Sequence, residues 1–225
     1  DAYMRILNAD GGEVEACGNA TRCVASWLSA EADRPALSIE TVVGTLLTNV
    51  NADGTVTVDM GTARLGWDEI PLAREMDTLK VMAGVAPLLE ATCVNVGNPH
   101  AVYFVEDVEA IPMAEIGPRI EHDLLFPQRI NVEAVQILSP TRMRMRVWER
   151  GVGITRACGT GACASLVAAV RRGLSERKAD VILDGGTLTI EWTAEGRVLM
   201  TGPVAISFRG ELEPAVIGAA IGTGR

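Results

Sequence analysis

Ala157-Cys158-Gly159-Thr160-Gly161 heads a run in which Ala162, Cys163, Leu166, Val167 and Val170 return at helical spacing. Apolar residues three and four apart line one face of a helix. Gly173 is placed to end it. A matching stretch lies upstream, where Ala16-Cys17-Gly18-Asn19 leads into Ala20, Cys23, Val24, Trp27 and Leu28. That spacing predicts a second amphipathic helix. Two helices that each begin on a Cys-Gly pair point to two similar halves, with the thiols facing each other across a pocket.

Working outward, Tyr3–Leu7 reads as a strand followed by the turn-forming Asn8-Ala9-Asp10-Gly11. A hairpin is expected within Thr45–Met60, turning at Asp53-Gly54. Thr92–Val96 and Ala101–Val105 read as short strands around Gly97-Asn98-Pro99-His100. Arg142 to Trp148 alternates strictly, the period of a strand. Further hairpins are expected with turns near Asp184-Gly185-Gly186 and Glu195-Gly196, and fraying from Gly218 to Arg225. Leu65–Pro87 carries no clear period. The order strand, thiol loop, helix, hairpin thus occurs twice. We expect an α/β (α+β) fold of two lobes, with residues 1–61 as the N-terminal lobe, completed by 202–225, and 62–201 as the C-terminal lobe.

The chain has 225 residues, 48% of them apolar, enough to bury a sizeable core. No apolar run reaches the roughly 18 residues of a membrane span. Acidic residues outnumber basic ones by 29 to 20, which disfavours nucleic acid or an anionic membrane as partner. Five cysteines form no disulfide framework, so reduced thiols and a cytoplasmic location are expected.

A thiol is a base only as its thiolate. A helix N-terminus favours that form through its partial positive charge and unpaired N–H groups. The same N–H groups can hold a carboxylate, and the glycine after each cysteine lets a ligand approach. Two such motifs face to face would remove a proton from one face of an amino-acid Cα and return it to the other. Neither cofactor nor metal is needed for that. Taken alone, either cysteine also reads as a small apolar core residue. Cys23 and Cys163 fit that plainer reading, on apolar helix faces, as does Cys93 in a strand. Cys17-x5-Cys23 and Cys158-x4-Cys163 are poor zinc spacings, and only two histidines exist, His100 and His122. A Cys-x-x-Cys redox motif is missing from the sequence.

Six motifs together resemble the diaminopimelate epimerase family: Asn8-Ala9-Asp10-Gly11, Ala16 to Cys23, Gly97-Asn98-Pro99-His100, Asn131-Val132-Glu133, Trp148 to Gly153, and Ala157 to Cys163. The resemblance implies a cofactor-independent epimerase interconverting LL- and meso-diaminopimelate, in lysine biosynthesis. It also implies two pseudo-symmetric lobes, each a curled, mostly antiparallel sheet around a central helix, commonly in a homodimer. Cys17 and Cys158 would be the two bases, with His100 and Glu149 as polar neighbours at the reacting centre. Asn8, Asn98, Asn131 and Arg150 would hold the distal end of the substrate. Gly18, Asn19, Gly159 and Thr160 would hold the reacting carboxylate. Asn8, Asn98 and Asn131 also read as turn or strand-end residues, and Glu149-Arg150 as a surface ion pair. The rival functions are a proline- or hydroxyproline-type two-thiol racemase, and a redox or zinc protein using the same cysteines.

Ala20 and Ala16 depart from the family's usual Gly and Met. The family's chain also carries a segment ahead of the position matching Asp1, and we expect these 225 residues alone to be inactive or weakly stable. Two thiols that flank one carbon can oxidise to each other. Oxidants are therefore expected to inactivate the protein reversibly through a Cys17–Cys158 disulfide. Mass spectrometry that found both thiols free in the oxidised, inactive protein would rule this out.

Overall fold

The computed structural model describes residues 1–7, 11, 18–42 and 44–211. Asn8, Cys17 and the expected fraying tail lie outside the described residues. The elements in chain order are β1 Ala2–Tyr3, α1 Gly18–Ala32, β2 Ala36–Thr41, β3 Gly44–Val50, β4 Val56–Thr62, β5 Val81–Val85, β6 Leu88–Asn95 and β7 Pro99–Phe104. There follow α2 Met113–Glu121, β8 Asn131–Ser139, β9 Arg142–Glu149, β10 Gly153–Thr155, α3 Gly159–Arg171, β11 Lys178–Leu183, β12 Gly186–Trp192 and β13 Arg197–Gly202.

The strands form one continuous path, β1-β2-β3-β4-β13-β12-β11-β9-β8-β7-β6-β5, with β10 on β9. Most neighbours are antiparallel, while β1/β2, β7/β8 and β9/β11 are parallel. The path curls around α3, which touches β6 to β9 and β11 to β13, whereas α1 packs on β2, β3 and β4. The two curls join where β4 pairs antiparallel with β13, from Val56↔Gly202 to Thr62↔Arg197. Helix followed by hairpin does recur: α1 is followed by β2–β3, and α3 by β11–β12. The hairpins expected at Gly54, Gly186 and Glu195-Gly196 all form.

The sequence of α3 explains its central place. From Ala162 to Ala169 every residue is buried, and most are Ala, Cys or Ser. Small side chains let strands approach a helix on all sides. Gly173 ends α3 with φ +69, a left-handed conformation that only glycine adopts freely. Among the strands around α3, β6, β7 and β8 are covered on both faces. Val94, Val102 and Val135 point to the α3 core, while Cys93, Ala101, Tyr103, Val132 and Ala134 point to a second core under α2. This double burial explains why consecutive residues of β6, β7 and β8 are buried rather than every second one. In β9 the alternation reads out directly. Met143, Met145 and Val147 enter the α3 core, and Arg144 lies opposite, bonded to Glu109 and Asp184.

One expectation fails. The periodicity placed Ala20, Cys23, Val24, Trp27 and Leu28 on the buried face of α1. The helix instead buries Gly18, Thr21, Arg22 and Ala25, leaving Cys23 exposed and Trp27 63% exposed. Both stripes obey helical spacing, and a close approach decides between them. A Cβ on Gly18 would lie 2.5 Å from Met200 Cε and 3.3 Å from Met60 Sδ. The helix therefore rolls its smallest residue onto the methionines. Cys93 and Cys163 are buried as expected.

Helix α2 was not anticipated, because Pro118 sits in its interior and proline opposes helix. Gly117 allows it to dock. A Cβ there would fall 2.5–2.7 Å from Trp148 Cγ, Cδ2 and Cβ. The buried Glu121 accepts from Trp148 Nε1 at 2.7 Å and from Gly151 N at 2.9 Å. Thus α2 fixes the turn that carries Glu149 and Arg150. Gly117→Ala should destabilise the protein by about 1–3 kcal/mol, overpacking outweighing the better helix propensity of alanine. Chemical denaturation tests this, and an unchanged or raised midpoint would refute it.

Candidate active site

Cys158 precedes the first residue of α3 and is its N-cap, with extended backbone (φ −126, ψ 107). Its sulfur accepts from Gly161 N at 3.3 Å and lies 3.5 Å from Thr160 Oγ1. Only 5% of the residue is exposed. Burial pushes the thiol well above its ordinary range. The charges of Glu149 and Glu133 push the same way, while the bonds from Thr160 and Gly161 oppose them. The balance at Cys158 favours the thiol over the thiolate. Cys93 and Cys163 are likewise pushed up by burial, each to about 12, and lie in the apolar cores.

The starts of the two helices meet. A Cβ on Gly159 would lie 2.9 Å from Met200 Sδ and 3.6 Å from Asn19 Oδ1, and Gly18 abuts the same Met200. The residues that directly follow the two sequence-matched cysteines therefore converge on one methionine of β13. Gly18, Asn19 and Gly159 are brought together, Thr160 follows Gly159, and so the N-termini of the two helices lie close to one another.

His100 is the second residue of β7, which packs on Cys158's helix, and it is fully buried. Its Nδ1 lies 2.7 Å from Glu133 Oε1, and its Nε2 lies 2.9 Å from Asn98 Oδ1. Glu133 is fully buried too, its carboxyl pushed up by desolvation and pulled back by His100. Glu133 also lies near the thiol, since a Cβ on Gly161 would fall 2.9 Å from Glu133 Oε1 and 3.3 Å from Cys158 Sγ. Glu149 ends β9 and accepts from Thr155 Oγ1.

Asn131 is buried with its amide spanning two backbones. Its Nδ2 donates to Pro99 O at 2.8 Å, and its Oδ1 accepts from Arg150 N at 2.9 Å. Arg150 Nη1 donates to Gln128 O at 3.2 Å. Beside these residues opens a cavity of about 370 Å³, lined by Asn98 and Arg150 and also by Arg64, Asp68, Glu69 and Gln128. Two guanidinium groups, two carboxylates and amides suit a zwitterionic amino-acid end.

Sequence reasoning missed the lining residues Arg64, Asp68, Glu69 and Gln128, and the role of Met200. The first three lie in or beside the stretch without a clear period, and only the fold brings them to Arg150. Glu133 belonged to a quoted motif but carried no role, although a carboxylate amid Val132, Ala134 and Val135 was a signal. The described residues contain no cluster of metal-binding type.

The family model for diaminopimelate epimerase matches residues 1–66 and 92–207. A diaminopimelate epimerase from Rhodospirillum centenum is 59% identical over 217 residues, covering 96% of this chain and 75% of the relative. One from Erythrobacter litoralis is 53% identical, covering 95% of this chain and 77% of the relative. Among solved structures, a phenazine biosynthesis protein from Enterococcus faecalis superposes with a TM-score of 0.66 at 17% identity, covering 94% of this chain and 78% of the other. A hydroxyproline epimerase from Agrobacterium vitis gives 0.57 at 18%, covering 89% and 67%. These distant likenesses show the fold.

The electrostatics of Cys158 can be tested by alkylation. In the free protein at neutral pH, iodoacetamide should modify Cys158 more slowly than the exposed Cys23. Glu149→Gln removes one of the charges that hold the proton on Cys158, so its alkylation should speed up several-fold and set in at lower pH. Peptide mapping reads both sites, and equal rates in the two proteins would exclude the assigned effect.

Proposed function

The chain belongs to the diaminopimelate epimerase family, and from that premise we propose how its residues interconvert LL- and meso-2,6-diaminopimelate. The activity is a PLP-independent isomerisation in lysine biosynthesis. The observation that carries the mechanism is the meeting of the two Cys-Gly helix starts at Met200.

The reacting carboxylate is held by backbone N–H groups of Gly18, Asn19, Gly159 and Thr160, whose dipoles stabilise charge that develops as the Cα–H bond breaks. The thiolate of one cysteine takes the proton, and the electron pair remains on the carbon and its carboxylate. The thiol of the other cysteine then protonates the opposite face and becomes the thiolate. Cys158, resting protonated, is the donor in the direction in which Cys17 is the base. His100 and Glu149 are the polar neighbours of this exchange.

The distal end lies in the cavity. Arg150 grips its carboxylate through a rigid guanidinium fork, and Asn98 adds an amide. Asn131 acts through the Arg150 backbone that it holds, and Asn8 completes the set. The charged cavity favours a substrate with a second charged end, which separates this reading from a proline-type racemase. We extend the proposal to a cytoplasmic homodimer, as the family resemblance implies. Among the described residues no helix is long and apolar enough to cross a membrane.

Cys17→Ser and Cys158→Ser, made separately, should each lower turnover by roughly a hundredfold to ten-thousandfold. Each should retain solvent exchange at Cα from only one isomer, and from opposite isomers. Deuterium exchange followed by mass spectrometry checks this. Full turnover in either variant would sink the two-base mechanism.

A further inference from the structure

Glu133 is the most constrained ionisable group outside the residues named so far for catalysis or binding. It lies at mid-sheet in β8, its side chain is 0% exposed, and among the described residues Oε2 has no hydrogen-bond partner. Among the described residues its hydrogen-bond partner is His100 Nδ1, and His100 Nε2 in turn faces Asn98 Oδ1. Asn98 lines the cavity that holds Arg150, and His100 does not. The three side chains form a chain of contacts from the neighbourhood of Gly161 to the cavity.

The proton count of this chain can be worked out from burial. If Glu133 were ionised beside a neutral His100, a full negative charge would sit uncompensated where no water reaches, with Glu149 adding repulsion. One more proton removes that cost. It can reside on Glu133, which then donates to Nδ1, or on His100 as an imidazolium, which donates to Glu133. In both arrangements the Nδ1–Oε1 contact is a hydrogen bond, and in both Nε2 keeps its own proton. A protonated Nε2 can only donate. It therefore requires an acceptor from Asn98 and turns Oδ1 toward the ring, as observed at 2.9 Å. The Asn98 Nδ2 group is left for the cavity.

We infer that Glu133 is a positioning residue that sets the polarity of the substrate pocket: through His100 it turns the Asn98 amide so that N–H donors, not the carbonyl oxygen, join Arg150. The pocket then presents two donors to the distal carboxylate and holds the distal ammonium elsewhere, beside Asp68 and Glu69. With a neutral, Nδ1-protonated histidine the amide would flip and offer an acceptor next to Arg150, which repels a carboxylate. This inference rests on the reading of the cavity as the distal subsite.

The ionisable groups facing the pair are Glu149 at the end of β9, Cys158 ahead of α3, Cys93 on β6 and Tyr103 on β7. Burial pushes all three of Cys158, Cys93 and Tyr103 up, so they stay neutral near pH 7 and cannot supply the missing proton's charge.

The test uses nitrogen NMR of the whole protein labelled at histidine. There are two histidines, and His122→Asn assigns the spectrum. In the unsubstituted protein, His100 Nε2 should remain protonated throughout the neutral range. A non-protonated Nε2 overturns the inference without any Glu133 variant being made. Glu133→Gln can still donate an N–H to Nδ1 and should leave KM near its original value, whereas Glu133→Leu removes the shared proton together with its carboxyl. Glu133→Leu should raise KM for diaminopimelate about tenfold, the worth of one lost pocket hydrogen bond, and lower kcat by less. In that variant, a loss confined to kcat would place Glu133 at the thiol and defeat the inference, as would unchanged kinetics. If the unsubstituted protein fails to epimerise diaminopimelate, the functional reading fails, while the NMR result still decides the state of His100.

Discussion

A helix surrounded by strands on every side must have almost no side chains to accommodate, and α3 meets that condition with Ala162, Ala164, Ala168 and Ala169 among its buried residues. The rest follows from it. Strands can wrap this helix only by curling. The curl closes against β13, and β13 carries Met200 to the helix starts. Burying the whole helix also buries its N-terminus, so the unpaired amides after Cys158 face a nearly dry space. A surface helix would present the same amides to water and lose most of their electrostatic effect.

That dryness works against the thiol. A helix N-terminus is worth about 0.3–1 kcal/mol to a nearby anion, or up to about 2 kcal/mol in partly buried geometry. One pKa unit corresponds to about 1.36 kcal/mol, and full burial moves a group by up to about 3–5 units. Desolvation therefore outweighs the dipole at Cys158, before Glu133 and Glu149 add repulsion. The sequence argument that a helix start favours the thiolate had the right sign for one effect and omitted the larger one. In the proposed two-thiol exchange, a cysteine whose surroundings favour the protonated form is useful. It must be ready to donate, and it becomes a thiolate only once its proton has gone to substrate.

The fold was legible where local chemistry and tertiary packing agree. Alternation in β9, glycine turns at Gly54 and Gly186, and the small apolar run of α3 each decide one element almost alone. It was illegible where two patterns compete. On α1, Ala20-Cys23-Val24-Trp27 and Gly18-Thr21-Arg22-Ala25 have the same period, and only contact with Met200 and Met60 selects the second. On α2, Pro118 hides a helix that is stabilised from outside by Trp148 and Glu121. The site divided in the same way. Motif residues such as His100, Asn98, Asn131, Glu149 and Arg150 do gather near Cys158 and its neighbouring cavity. The partners of His100 and the acidic wall of that cavity depend on which strands pair, and no spacing along the chain encodes that.

Why a carboxylate should persist at Glu133, among Val132, Ala134 and Val135, then has a physical answer. A buried acid costs several kcal/mol unless its proton or a partner charge offsets it. An apolar residue there would fill the same space without that cost, and His100 Nδ1 would lose the Glu133 carboxyl as its partner. The ring would choose its tautomer by local accident, and Asn98 would follow. Stability therefore argues against Glu133, while the polarity of the pocket argues for it. Backbone geometry shows how tightly the site is drawn around that choice: Gly161 leaves no room for even a methyl group between Glu133 and Cys158. The carboxylate that holds His100 and the thiol ahead of α3 thus lie on either side of one glycine.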